Sequence, residues 1–179
     1  MLRPNAVKQA EAPGLAGATA SGSRGGARGA VHRFVGIVTN KLDAKNRVSI
    51  PALFRQSLAN QQTEGLYCFK AVGRAALMGF GNKLFEKTES SLEGLHPIFS
   101  PNYAAQATAI YAQARHLAFD DEGRVRVPDD LITYANIRER VLFAGLGEVF
   151  EIWEPDAYYT AEAERLQQVE ENYKSGGAR

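Results

Sequence analysis

The stretch Asn40-Lys41-Leu42-Asp43-Ala44-Lys45-Asn46-Arg47-Val48-Ser49-Ile50-Pro51-Ala52-Leu53-Phe54 decides how the chain folds, because it occurs twice. The weaker copy is Ala118-Phe119-Asp120-Asp121-Glu122-Gly123-Arg124-Val125-Arg126-Val127-Pro128-Asp129-Asp130-Leu131. Asp43 and Asp120, Arg47 and Arg124, Val48 and Val125, and Pro51 and Pro128 all stand 77 residues apart. Both copies read as one unit. An apolar residue, Leu42 or Phe119, ends a strand. Asp43 or Asp120 opens a tight turn, its carboxylate accepting from backbone N–H groups two residues on. The turn requires a residue that tolerates positive φ, which is Asn46 in the first copy and Gly123 in the second. An arginine leaves the turn. Alternation then resumes, with Val48 and Ile50 (or Val125 and Val127) on one face and Ser49 (or Arg126) on the other. Pro51 or Pro128 opens a helix, where the missing N–H costs nothing.

A second similarity follows each motif. Leu77-Met78-Gly79-Phe80 matches Phe150-Glu151-Ile152-Trp153 at a separation of 73, so the second copy has a shorter loop. Motif, helix, hairpin and helix recur in the same order, which marks an internal duplication.

Working outward, Phe34, Val35, Ile37 and Val38 predict a first strand. A helix from Pro51 to about Asn60 puts Leu53, Phe54 and Leu58 on its buried side. Leu66–Val72 and Ala75–Phe80 form a hairpin around Gly73-Arg74. A helix over Asn82–Leu95 follows. Ser100-Pro101 then caps a further helix whose seam is Tyr103, Ala107, Ile110, Ala114 and Leu117. In the second copy, strands are expected at Val141–Ala144 and Val149–Trp153. Pro155 opens a last helix to about Tyr173, with Tyr159, Glu162, Leu166, Val169 and Tyr173 sharing a face. That face is either a thin packing stripe or a subunit contact. The expected division is a low-complexity basic tail at 1–31, unit one at 34–84, a helical connector at 85–113, unit two at 114–157, and an acidic helix and tail at 158–179. The tail reads as disordered, as a basic arm on DNA, or as the product of a misplaced start site.

Net charge is +1, but its distribution is uneven. Residues 1–31 and residues 41–55 each sum to +3, whereas Glu148 to Glu171 sums to −7. A basic end that meets a polyanion and an acidic end turned away from it fit this split. The single cysteine, Cys68, excludes an intrachain disulfide and a Cys-based zinc site, and reads as a small buried hydrophobe. No window approaches the roughly 18 apolar residues of a membrane span, so the expected location is the cytoplasm.

Enzyme chemistry finds little footing. His32, His96 and His116 share no metal spacing, no nucleophile–base arrangement is visible, and Gly79-Phe80-Gly81-Asn82-Lys83 lacks the spacing of a phosphate loop. The expectation is no catalytic residue, no metal and no cofactor. DNA chemistry fares better. Lys41, Lys45, Asn46 and Arg47 offer a phosphate-neutralising and base-reading set around one turn, and a two-stranded ribbon fits the major groove. Arg124 is a weaker candidate, because Asp120, Asp121, Glu122, Asp129 and Asp130 surround it and Arg126 with a local sum of −3. Asp43, Asp120, Gly123, Pro51 and Pro128 are expected to build the turns and helix starts. An ion pair from Arg47 to Asp43 is the competing role for that arginine.

The pattern Asp-x-Lys-Gly-Arg-x-Ser-x-Pro followed by a weaker Asp-x-x-Gly-Arg copy resembles the MraZ family. The resemblance runs from about Phe34 to about Tyr159 and departs at Asn46, where the family usually has glycine. It implies an α+β fold of two AbrB-like swapped-hairpin units related by a pseudo-twofold axis. It also implies a homo-oligomeric ring, octamer or dodecamer, that binds direct repeats in promoter DNA. The role implied is regulation, as a repressor, of the division and cell-wall gene cluster, at the nucleoid. The competing readings are an antitoxin-like protein-interaction module whose acidic C-terminal helix grips a partner, and a small enzyme at the repeat interface.

Overall fold

The short strands that leave the two turns, β2 (Arg47–Ser49) and β6 (Arg124–Arg126), pair antiparallel with each other. The computed structural model describes residues 33–176, and the expected tail at 1–31 lies outside them. Around this ribbon stand β1 (Ile37–Lys41), α1 (Ala52–Asn60), β3 (Gly65–Lys70), β4 (Leu77–Phe80) and α2 (Asn82–Leu92). Then come α3 (Pro101–Ala107), a π-helical turn at Thr108–Ala112, β5 (Arg115–Ala118), α4 (Asp129–Tyr134), β7 (Arg140–Gly145), β8 (Phe150–Trp153) and α5 (Pro155–Lys174). The fold is α+β. Among the described residues there is no helix long and apolar enough to cross a membrane.

The second sheet has six strands in the order β1-β7-β8-β4-β3-β5, all antiparallel. β1 pairs with β7, and its counterpart β5 pairs with β3, so each motif lends its first strand to the hairpin of the other. The registers repeat as well. Val48 faces Val125 at the middle of the ribbon, and Met78 faces Glu151 at the middle of the sheet.

The main core takes matched positions from both motifs: Val48 and Val125, Ile50 and Val127, Phe54 and Leu131, Leu58 and Ala135, Leu66 and Val141, Leu77 and Phe150. Phe34, Phe54 and Phe150 meet as tilted and edge-on rings with centroids 4.7–5.3 Å apart. Each such side chain contributes about 1.5–3 kcal/mol by leaving water. Cys68 is buried in this core, and burial pushes its thiol up to about 12.

On the outer face, Tyr158 packs against Trp153, Leu142 and Ala144, with Ala157 and Ala161 beside them, and so seats α5 on the sheet. Glu151 lies fully buried beneath it. Its carboxylate accepts from Trp153 Nε1 at 2.8 Å and from both terminal nitrogens of Arg165 at 2.9 and 3.1 Å, and pairs with Arg74 at 2.6 Å. Burial pushes this carboxyl up, but the hydrogen bonds from Arg165 and Trp153 and the charge of Arg74 outweigh it and hold it below its usual range.

Several expectations change. The first strand begins at Ile37, and Phe34 instead makes an isolated bridge to Gly147. Leu53 is exposed, since α1 turns Phe54, Ser57 and Leu58 inward. α2 stops at Leu92, short of Leu95. The Tyr103–Leu117 seam breaks after the π-helical turn, because Leu117 is needed in β5 opposite Leu66. The stripe Tyr159, Leu166, Val169 and Tyr173 of α5 is exposed, and Tyr159 alone of the four makes a ring contact among the described residues, edge-on to Tyr158 at 5.5 Å.

Candidate nucleic-acid interface

The two turns are built by the same bonds. Asp43 Oδ1 accepts from the backbone N–H groups of Lys45 and Arg47, both at 2.8 Å, and Oδ2 accepts from Arg47 Nε at 2.7 Å. Asp120 accepts from the N–H groups of Glu122 and Arg124 at 3.0 and 2.9 Å, and from Arg124 Nε at 2.8 Å. Asn46 takes φ 57° and Gly123 φ 71°, the left-handed position each turn requires. The N–H donated by Arg47, foremost, together with its side chain and the Lys45 N–H, lowers the Asp43 carboxyl to about 2. Asp120 is lowered for the same reasons, first the N–H of Arg124.

The turns differ in what surrounds them. The side-chain amide of Asn46 donates to Asp129, which ties the first turn to α4. At Gly123 a Cβ atom would fall 2.0 Å from Arg55 Nη1, so any other residue would have to displace the flexible end of that side chain. The residue that matches Arg55 in the second motif is Ile132, which makes no such demand on the first turn. Pro51 and Pro128 each stand at the N-cap, one residue ahead of the helix they precede.

Antiparallel pairing places directly opposed side chains on one face. Val48 and Val125 fill the buried face of the ribbon. The other face therefore carries Arg47 opposite Arg126, and Ser49 opposite Arg124. Arg47 keeps about a third of its side chain exposed beside Asp43 (33%). Arg124 is more enclosed, at 23%, because Glu122 also engages its Nη1 at 2.7 Å. Its hydrogen bond to Asp120, and behind it the charges of Asp120, Glu122 and Asp43, raise its pKa. Lys45 at the turn and Arg126 on the ribbon are exposed, and neither has a carboxylate partner among the described residues.

Arg126 was missed as a site residue. Alternation puts it on the face of Ser49, but only the pairing of β2 with β6 brings it opposite Arg47. The acids expected to repel a polyanion are largely committed. Asp120 and Glu122 hold Arg124, Asp129 holds Asn46, and Asp130 holds Arg115 at 2.9 Å with Lys70 at 3.9 Å. Lys41 stands at the end of β1, beside the first turn. Among the described residues no group of three or more His, Cys, Asp or Glu side chains is placed to hold a metal ion.

The sequence model of one family, described as "MraZ protein, putative antitoxin-like", matches residues 110–174. The chain is 41% identical to the Transcriptional regulator MraZ of Xanthobacter autotrophicus over 147 residues, which is 82% of this chain and 93% of the relative. It is 38% identical to the Transcriptional regulator MraZ of Azorhizobium caulinodans, with 82% and 92% covered. It is 41% identical to that of Beijerinckia indica, with 72% and 77% covered. The chain belongs to the MraZ family, a family of transcriptional regulators and not of enzymes.

Proposed function

We propose that the chain is a sequence-specific DNA-binding transcriptional regulator whose first turn and paired ribbon enter the major groove. The observation that carries this reading is the outer face of β2 and β6, where Arg47, Arg124 and Arg126 from two distant motifs converge. A two-stranded ribbon has the width of a major groove, and an arginine fork matches guanine O6 and N7. In this reading Arg47 reads bases, Lys45 and Lys41 neutralise phosphates, and Asn46 shapes the turn, its side-chain amide holding Asp129 and its backbone carbonyl accepting from the Val127 N–H at 2.9 Å. Arg124 is secondary, since its guanidinium already serves Asp120 and Glu122. Asp43, Asp120, Gly123, Pro51 and Pro128 hold the scaffold.

The finer architecture belongs to the same proposal: two AbrB-like swapped-hairpin units, 34–84 and 114–157, joined by a connector at 85–113 and followed by an acidic helix at 158–179. The exchange of first strands between hairpins supports it. So does the match of core positions. One basic turn binds weakly, and repetition around a ring raises affinity through effective concentration when DNA sites are spaced to match. We take the assembly to be a homo-oligomeric ring on direct repeats upstream of the division and cell-wall gene cluster, acting there as a repressor in the cytoplasm at the nucleoid. A mobility-shift titration over salt, using the DNA upstream of the chain's own gene, tests this. A shifted complex that weakens steeply with salt and is lost on a scrambled duplex is the expected result. Equal affinity for both duplexes would remove sequence specificity.

A second reading, an antitoxin-like interaction module, is favoured by one feature, the exposed apolar stripe of α5 among acidic residues. Co-purification of a second protein that leaves when the stripe is substituted would support it.

A further inference from the structure

We propose that Lys41 and Arg140, with Arg138 beside them, form a clamp for the phosphodiester backbone next to the groove that the first turn enters. This rests on the DNA reading above and extends it to residues of the second motif.

Lys41 and Arg140 are direct cross-strand partners at the ends of β1 and β7. The Leu42 N–H donates to the carbonyl of Glu139 at 2.8 Å, which fixes this end of the pairing immediately before Asp43. Direct partners project from the same face, with Cβ atoms about 4.5–5.5 Å apart, and like charges so placed destabilise a sheet. Both side chains are exposed, as is Arg138. None of the three has a carboxylate partner among the described residues. Glu139, which lies between the two arginines, makes no ion pair with either. The carboxylate two residues on from Lys41, that of Asp43, is held by Arg47.

The fold itself does not require this cation pair. The matching position in the other half of the sheet is Gly65 opposite Ala118. The same ladder therefore closes there without charge, and the repulsion at Lys41 and Arg140 is an addition confined to the side of the more basic turn. An anion seated between them would relieve it. A phosphate suits both groups, since the guanidinium forks two of its oxygens while the ammonium acts as a point charge. Such contacts carry no base information.

The test uses the full chain and fluorescence anisotropy over a range of KCl. Two labelled duplexes are used, the DNA upstream of its own gene and a scrambled duplex of equal length. Arg140→Ala should weaken both by the same factor, about three- to tenfold per bound protomer, and lower the salt slope by about 0.9. Arg140→Glu should weaken both further and yet melt at or above the unsubstituted chain, because it pairs with Lys41. Unchanged affinity and slope for Arg140→Ala, or loss confined to the specific duplex, would overturn the clamp. A lowered melting temperature for Arg140→Glu would make the residue structural and overturn it too. If Arg47→Ala loses the specific duplex while Arg140→Ala changes nothing, only the clamp fails. If the unsubstituted chain binds neither duplex, the DNA reading fails and the clamp with it.

Discussion

Arg47 donates its Nε to Asp43 Oδ2 at 2.7 Å, and its two terminal nitrogens have no partner among the described residues. The ion pair therefore leaves room for the proposed DNA contact, with one edge of the guanidinium orienting the other. Arg47→Ala leaves Asp43 its bonds from two backbone N–H groups, so the turn persists. An exposed pair of this kind contributes little to stability, and the melting temperature should barely move. Affinity for the specific duplex should fall about tenfold or more, the worth of one bidentate base contact. Arg124→Ala should reverse the emphasis, lowering stability or altering assembly more than DNA binding. Mobility shift and thermal melting on both variants check this. A correctly assembled Arg47→Ala with undiminished affinity would take Arg47 out of the site.

Gly123 holds a left-handed backbone, and a Cβ atom there would also meet the guanidinium end of Arg55. Gly123→Ala should cost about 1–3 kcal/mol, of which about 1–2 is the left-handed penalty alone. In an Arg55→Ala background the same change should cost only that penalty. Chemical denaturation of the four chains gives the coupling directly. Equal costs in both backgrounds would mean that Arg55 moves aside freely.

Asp43 predicts the acid limit of the first turn. Its folded pKa, about 2, lies below the ordinary carboxylate value of 3.8. A depressed pKa stabilises the fold above the unfolded value and loses that contribution as pH falls through the folded one. The turn should therefore hold at pH 5 and weaken between about pH 4 and pH 2. Asp43→Asn should flatten this part of the stability profile. A profile equally steep in the variant would place the acid sensitivity elsewhere.

Glu151 is the polar anchor of α5, and its removal should loosen that helix before the rest. Glu151→Gln keeps the shape but leaves Arg74 and Arg165 without their carboxylate, and both guanidiniums are partly exposed. The loss should be smaller than the 3–5 kcal/mol of a fully buried broken pair, at about 1–3 kcal/mol. Because the carboxyl sits below its usual range, the wild-type contribution is present above the unfolded pKa and disappears as pH falls below it. Hydrogen exchange should show α5 amides losing protection first. Uniform loss across the sheet would instead mark Glu151 as part of the main core.

The repeated motif made the turns, their arginines and the matched core positions legible, because they depend on local chemistry at fixed spacing. The exchange of strands is implied by the family resemblance but is not legible in the residues themselves. Alternation at Val48–Ile50 and Val125–Val127 is identical whether β2 pairs with its own motif or with β6, and only that choice places Arg126 beside Arg47. Arg138 and Arg140 escaped notice for the same reason, since Lys41 lies about a hundred residues before them and meets Arg140 only through the β1–β7 register. Leu53 was misplaced because a nine-residue helix offers too few turns for its apolar positions to define one face. The break after Ala112 reflects a contest between helical spacing and the demand for Leu117 in a strand, which pairing won.

The exposed stripe of α5 is the surface expected to carry the proposed assembly. Tyr159, Leu166 and Tyr173 recur every seven residues, with Glu162 and Val169 between them on the same spacing. That is the seam by which helices pack on one another. Tyr158, Ala161 and Arg165 seat the neighbouring side of the helix on the sheet, and the seam beside them stays exposed. Leu166→Glu with Val169→Glu should leave the protomer folded, since both residues are more than half exposed. It should shift the sedimentation coefficient toward smaller species, and DNA affinity should fall with it as the turns lose their shared effective concentration. If the double variant sediments like the unsubstituted chain, the stripe is not the subunit contact, and the edge strand β1 with exposed Ile37 and Val38 becomes the next face to substitute.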